Sequence, residues 1–398
     1  MRGVLGARHA VRLLGGTLIG RLPVGMASLA VLLFTREHGG SYALAGLLTA
    51  SYALGQAVGQ PLLGRLVDLR GQPRVIGGAA LLATAAFAAL AAAGPHRGAG
   101  SFALAAAAGL FTPPLEAGLR ALWPAVLPDA AHVRAAYALD AATQELLFVA
   151  GPLLVTLFAD GLSTAWGLVL TGLLGLAGAL VVITAPPSRS WRPGPREAHW
   201  LGPLRSPGLL ALFGAFLFVG VALGAMNVGA LGYAARIGDR NASGVLLAAF
   251  SFGALLGGVG YGSRTWTGRP ERRLRLLTAA LAVCFLPPAL GPGLLPAMAA
   301  LTALAGLFLA PSLACAFLVV DGHAPAGTVT EAFSWLVTAF GVGAAAGSAV
   351  AGPATGRLGD GAGFLVAAAG ALAALAVQLG SAPLLARSDR SGSANPVN

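Results

Sequence analysis

The chain has 398 residues, of which 57% are apolar and only 10% charged, with a net charge of +11 and a mean hydropathy of +0.79. A soluble domain carries roughly 25% charged residues, so this chain has too little polar side chain to cover a water-facing surface. All 25 basic residues are arginine and they fall between long apolar blocks, a pattern of membrane topology signals that argues against a nucleic-acid surface.

About 20 apolar residues cross a bilayer as a helix. In chain order the spans are predicted at 12–34, 42–64, 74–94, 99–122, 135–158, 162–184, 207–234, 243–263, 274–291, 293–319, 329–352 and 361–385. The expected fold is therefore all-α and polytopic, with twelve transmembrane helices in two six-helix bundles. Breakers such as Gly94-Pro95, Pro186-Pro187 and Gly291-Pro292 mark loops. The longest gap, rich in arginine and proline, reads as a hydrated linker over 186–206 between an N-terminal bundle at 1–185 and a C-terminal bundle at 207–398. With the N-terminus inside, cytoplasmic segments hold nineteen arginines and outside loops five, with Arg21 within a span. Both termini are thus expected in the cytoplasm, as an even number of spans requires. The first block reads as an uncleaved helix rather than a signal peptide. Cys284 and Cys315 lie in apolar blocks, where a disulfide framework is improbable.

The two halves resemble each other at a shift of about 197 residues. Gly46, Tyr52, Gly55, Gly59 and Gly64 match Gly244, Phe250, Gly253, Gly257 and Gly262. Gly109-Leu-Phe-Thr-Pro-Pro114 matches Gly306-Leu-Phe-Leu-Ala-Pro311, and Ala136-Tyr137 matches Ala332-Phe333. A six-helix unit repeated in parallel is how secondary transporters build a two-fold axis along the membrane normal.

The loop after the second span reads Gly64-Arg65-Leu66-Val67-Asp68-Leu69-Arg70-Gly71-Gln72-Pro73-Arg74. It resembles the signature loop of the major facilitator superfamily, and helix count, linker and repeat extend that resemblance to the whole chain. The basic residue that usually follows the Asp is displaced to Arg70, and the cognate second-half loop has Trp266 near the Asp position. The resemblance assigns Gly64, Asp68, Arg70, Gly71 and Arg74 a gating role on the cytoplasmic side; for Arg70 and Arg74, plain topology anchoring is the alternative. The Arg-only, Ala/Gly-rich composition resembles GC-rich bacterial coding. Ala150-Gly151-Pro152-Leu153-Leu154 partly matches a signature of drug-efflux antiporters, whose fourth-span Arg-x-x-Gln-Gly is missing.

Small residues four apart let membrane helices approach closely. Gly55/Gly59, Gly253/Gly257 and Gly343/Gly347, with Gly151, are expected either at the contact between halves or at tight packing inside one half. Ionisable residues within a bilayer are costly and mark function. Arg21 and Glu145 fall at similar depth and are expected to pair, in transport or as a structural ion pair. Glu116, Arg120 and Asp140 form a second expected cluster nearer the cytoplasm, serving local charge balance or proton coupling. Glu331 reads as favouring a helix N-terminus; Asn227 is a substrate candidate and Gln378 a peripheral polar residue. Phe216, Phe218, Met226 and Trp335 on cavity-lining helices suit an amphiphilic cargo.

Without lysine there is no phosphate loop, and the metal spacings His-Glu-x-x-His and paired Cys-x-x-Cys are missing. No cofactor, metal site or enzymatic activity is expected. The sequence points to a monomeric secondary transporter in the cytoplasmic membrane, moving a small molecule by alternating access, by proton-coupled efflux of an amphiphilic compound or as a metabolite uptake carrier. A receptor or scaffold without transport is the remaining reading.

Overall fold

A computed structural model describes residues 2–96, 98–192, 200–239, 241–291, 293–359 and 361–386. Arg97, Arg196, Arg240, Arg387 and Arg390 lie outside that range, as does the side chain of Glu145. Within it the chain is helical, with no strand among the described residues. The first six long helices are α1 (Ala10–Glu37), α2 (Tyr42–Arg70), α3 (Gln72–Ala93), α4 in two pieces (α4a, Ala99–Leu110; α4b, Leu115–Val126), α5 (Ala130–Gly161) and α6 (Thr164–Ile183). The last six are α7 (Pro207–Ile237), α8 (Ala242–Gly262), α9 (Pro270–Phe285), α10 in two pieces (α10a, Leu295–Gly306; α10b, Leu309–His323), α11 (Val329–Leu358) and α12 (Ala362–Gly380). Ten of these are long and apolar enough to cross a membrane; the other two, α2 and α5, are 29 and 32 residues long.

Local chemistry sets the ends. Ser41, Asp129, Ser163 and Ser206 accept hydrogen bonds from the first free N–H groups of α2, α5, α6 and α7. A single residue joins α2 to α3, which only Gly71, at φ 85°, accommodates without strain. Thr112-Pro113-Pro114 divides α4, because proline lacks the N–H and clashes with the preceding turn. The side chain of Gln60 donates to the freed carbonyl of Thr112 at 3.0 Å. The matching break in α10 follows Gly306, at the equivalent point of the repeat.

The glycine pairs pack within each half and not between halves, which corrects one of the two expectations. β-Carbons at Gly55 and Gly59 would overlap the Ala106 and Leu110 carbonyls of α4a; at Gly253 and Gly257 they would overlap Ala303 and Leu307 along α10. Gly343 and Gly347 press on Leu217 and Val221 of α7, and Gly151 on Gly25 of α1. Removing side chains there lets two backbones touch where lipid offers no hydrophobic drive to bring them together. The contacts joining the halves use other residues: Gly64 of α2 lies against Ser334 of α11, and Gly258 of α8 lies so near Ala142 of α5 that an added β-carbon would overlap it.

Two turns form in the described parts of the segment between the halves. Pro186–Ser190 forms a helical turn whose buried Ser188 bonds Gln72 at 2.9 Å, and Gly202–Arg205 forms a 3-10 turn with Gly202 and Pro203 buried. Both turns lie on the membrane face that also carries residue 10, the α2–α3 junction and the start of α5; we call this the linker face and its opposite the far face.

Candidate functional site

Four charged side chains from three helices close into one ring. Arg21 of α1 bonds Asp140 of α5 at 2.9 Å and also pairs with Glu116 of α4b. Arg120, one turn beyond Glu116, bonds Asp140 through Nε at 2.7 Å and Glu116 through Nη1 at 3.1 Å. Each carboxylate therefore gives one oxygen to each arginine, and the ring is neutral. Arg120 and Asp140 are fully buried. Such a set is tolerable in an apolar interior only because every charge has partners; deleting one member would strand the rest.

The helices explain the meeting. Arg21 and Asp140 lie about 17 and 15 Å along α1 and α5 from the linker face, at about 1.5 Å per residue. The proline break restarts α4b just before Glu116, where the helix dipole favours an acid. Two clusters expected separately are thus a single one. Arg21 turns to Asp140 and Glu116, with Gln144 accepting a further bond from Nη2 at 3.0 Å. Asp140 and Gln144 are one turn apart and share a face of α5. The expected partner Glu145 is five residues beyond Asp140, roughly 140° around the helix, and its side chain is outside the described residues.

Directly on the linker side of the ring lies an aromatic plug. The Arg120 guanidinium rests 3.6 Å from the ring centre of Phe317 on α10b. Phe317 meets Tyr137 of α5 at 6.0 Å and Phe333 of α11 at 6.2 Å, and Tyr137 meets Phe333 at 6.0 Å. All three aromatics are buried. They come from both halves, and sequence reasoning assigned none of them a role, although the repeat register had already matched Tyr137 with Phe333.

Nearer the linker face, Asp68 at the end of α2 reaches the N-terminus of α11. Its carboxylate accepts from the backbone N–H groups of Thr330 at 3.2 Å and Glu331 at 2.8 Å, and it is 2% exposed. A side chain of the first half thereby caps a helix of the second. Glu331, expected to favour this N-terminus itself, is buried with its carboxylate against Gly202 of the linker turn. Arg70 and Arg74 are exposed, with no ion pair among the described residues. Arg65 instead donates to the Trp200 carbonyl of the linker. At the second-half counterpart, Trp266 donates to Tyr261 and stacks on it, leaving α5 to be capped by its own Asp129. The His132 N–H holds the Asp129 carboxyl below its usual range. A cavity of about 490 Å³, lined by Arg134, Trp266, Arg273 and Asp321 among others, occupies that side of the seam.

Other expected residues sit elsewhere. Asn227 is exposed on α7. Phe216 and Met226 are fully buried within the packing and so do not line an open surface, whereas Phe218 and Trp335 are partly exposed. Gln378 is buried and donates to Thr278 of α9 at 2.9 Å. No group of three or more His, Cys, Asp or Glu side chains converges among the described residues.

Comparison with known proteins completes the picture. The Major Facilitator Superfamily model matches residues 13–334. No curated protein matches the sequence. Among solved structures, a bacterial homologue of the iron transporter ferroportin, in an outward-facing state, superposes with a TM-score of 0.74 at 15% identity, covering 94% of this chain and 100% of its own. The human organic anion transporter MFSD10 superposes with a TM-score of 0.66 at 17% identity, covering 92% of this chain and 99% of its own.

Proposed function

This chain belongs to the major facilitator superfamily and is a multi-pass membrane transporter of small molecules, and we propose that it works by alternating access as a proton-coupled exporter of an amphiphilic organic compound. In this reading residues 1–185 and 207–398 are the two rocking units, joined by 186–206. The linker face is cytoplasmic, as the arginine distribution requires, and the protein sits in a bacterial cytoplasmic membrane as a monomer, similar to drug-efflux members of the family.

The observation that carries the proposal is the buried neutral ring of Arg21, Glu116, Arg120 and Asp140. Empty, it has no net charge. One proton on Glu116 or Asp140 brings it to +1 and removes an acceptor from the arginines, so Arg120 loses the hold that fixes it for cargo. Proton and cargo therefore favour different arrangements of the ring, which is the condition for exchange. The ring suits organic cargo better than iron, the cargo of the ferroportin whose bacterial homologue shares this fold, because the carboxylate oxygens of Glu116 and Asp140 are already engaged by guanidinium groups. Asp68, with Gly64 and the Gly71 turn, acts as the cytoplasmic gate: it holds α11 to α2 in this state and releases it in the other.

The test is flux in proteoliposomes. A panel of fluorescent amphiphiles is loaded and a pH difference imposed across the membrane. Wild-type protein should move at least one of them against its gradient, and Asp140→Asn should lose the pH-driven part while still exchanging labelled for unlabelled cargo. Flux indifferent to the pH difference in the wild type would end the proton-coupled reading.

A further inference from the structure

The Arg120–Phe317 contact has a special place in the repeat. Position 120 plus the shift of 197 is position 317, and Tyr137 and Phe333 are likewise a matched pair. Residues related by a two-fold axis that touch one another must flank that axis. The axis relating the halves therefore runs through the plug, between guanidinium and phenyl ring at 3.6 Å and between the Tyr137 and Phe333 rings at 6.0 Å.

The symmetry is broken in chemistry. The first half supplies a cation to this pair and the second an apolar ring. Every polar side-chain partner of Arg120, Glu116 and Asp140, belongs to its own half, so the guanidinium is fixed there. Phe317 belongs to the other half. The Nη2 of Arg120 is buried without a hydrogen-bond partner among the described residues, while its Nε and Nη1 are both used. When the halves part on the linker face, Phe317 leaves and the ring partners remain. Arg120 then presents a bare planar face and an unused donor to the space that opens.

We propose that Phe317 is an internal stand-in for the cargo, and that the cargo is a planar aromatic compound carrying a hydrogen-bond acceptor beside its ring. This rests on the transport reading above and names the cargo class for the same site. The aromatic face stacks on Arg120, as a π-face does on a guanidinium, and the acceptor takes the Nη2 proton. A permanently cationic aromatic is disfavoured at that face by the like charge of Arg120. Closing the linker face drives Phe317 back onto the guanidinium, so cargo and Phe317 compete for one surface. Binding occurs from the linker face and expulsion accompanies closure, which gives export its direction.

The experiment uses full-length protein in nanodiscs and three matched probes: 2-naphthamide, its saturated decahydro analogue and N-methylquinolinium. Wild-type protein should bind 2-naphthamide about 10-fold more tightly than either of the others, within the range of a desolvated cation–π contact. Phe317→Leu keeps the bulk but removes the π-face. It should tighten 2-naphthamide binding by roughly 2- to 30-fold and slow its export, and Phe317→Tyr should restore both to near wild type. A better fit for the saturated or cationic probe, or an affinity that Phe317→Leu leaves unchanged, overturns the inference. If pH-driven flux of another amphiphile persists while 2-naphthamide has no advantage, the cargo assignment alone falls; if no amphiphile responds to pH, the broader reading falls with the binding result still standing on its own.

Discussion

Replacing Asp68 with asparagine tests the gate most directly. The carboxylate is 2% exposed and accepts two backbone N–H bonds at the start of α11, at 3.2 and 2.8 Å. Asparagine keeps one accepting oxygen, loses the charge, and turns an NH2 toward donors. A hydrogen bond to a charged group contributes about 1.5–3 kcal/mol. Opening rehydrates the carboxylate and recovers part of its burial cost, which lowers the net effect. The closed state should then lose about 1–2 kcal/mol, a shift of roughly 5- to 30-fold toward the state open on the linker face. Ser334, buried against Gly64 at the same seam, provides the reporter. In a background with Cys284 and Cys315 replaced by alanine, Ser334→Cys should react with a membrane-impermeant thiol reagent several-fold faster once Asp68→Asn is added. Equal labelling rates, with both proteins folded, would show that this cap does not hold the halves together.

Two further outcomes follow from packing. Gly59→Ala places a methyl group into the Leu110 carbonyl, whereas Gly46→Ala meets nothing within 4 Å. The first should destabilise by about 1–3 kcal/mol and the second gain up to about 1 kcal/mol from helix propensity, read as melting temperatures in detergent; equal shifts would contradict the close-approach account. Gln378 spans α12 to α9 through Thr278, with its Oε1 buried and unpartnered. Gln378→Leu should leave flux intact and change stability by no more than about 1 kcal/mol, so a loss of transport would mean the residue does more than pack.

The sequence was most informative where a local signal needs no partner. Block length and hydropathy found every long helix, with some ends off by as many as 6 residues, because a bilayer imposes one length and one composition on any helix that crosses it. Caps and breakers were equally plain: Gly71, the Thr112-Pro113-Pro114 break and the repeat register are all written in the chain. Asp68 was found by its motif, but not its partners, the N–H groups 262 and 263 residues away.

Partnering was settled only in three dimensions. Depth counted along separate helices suggested Arg21 with Glu145; depth leaves rotation about each axis free, and only the structure showed Asp140 and Gln144 turned toward Arg21. The glycine pairs showed that close backbone contact was coming without showing whose backbone would arrive. The repeat matched Tyr137 to Phe333 and, with one residue of slippage, Arg120 to Phe317, yet a register says only that residues are equivalent. That these equivalents touch is a property of where the two-fold axis falls, and the axis is fixed by how two complete bundles pack together.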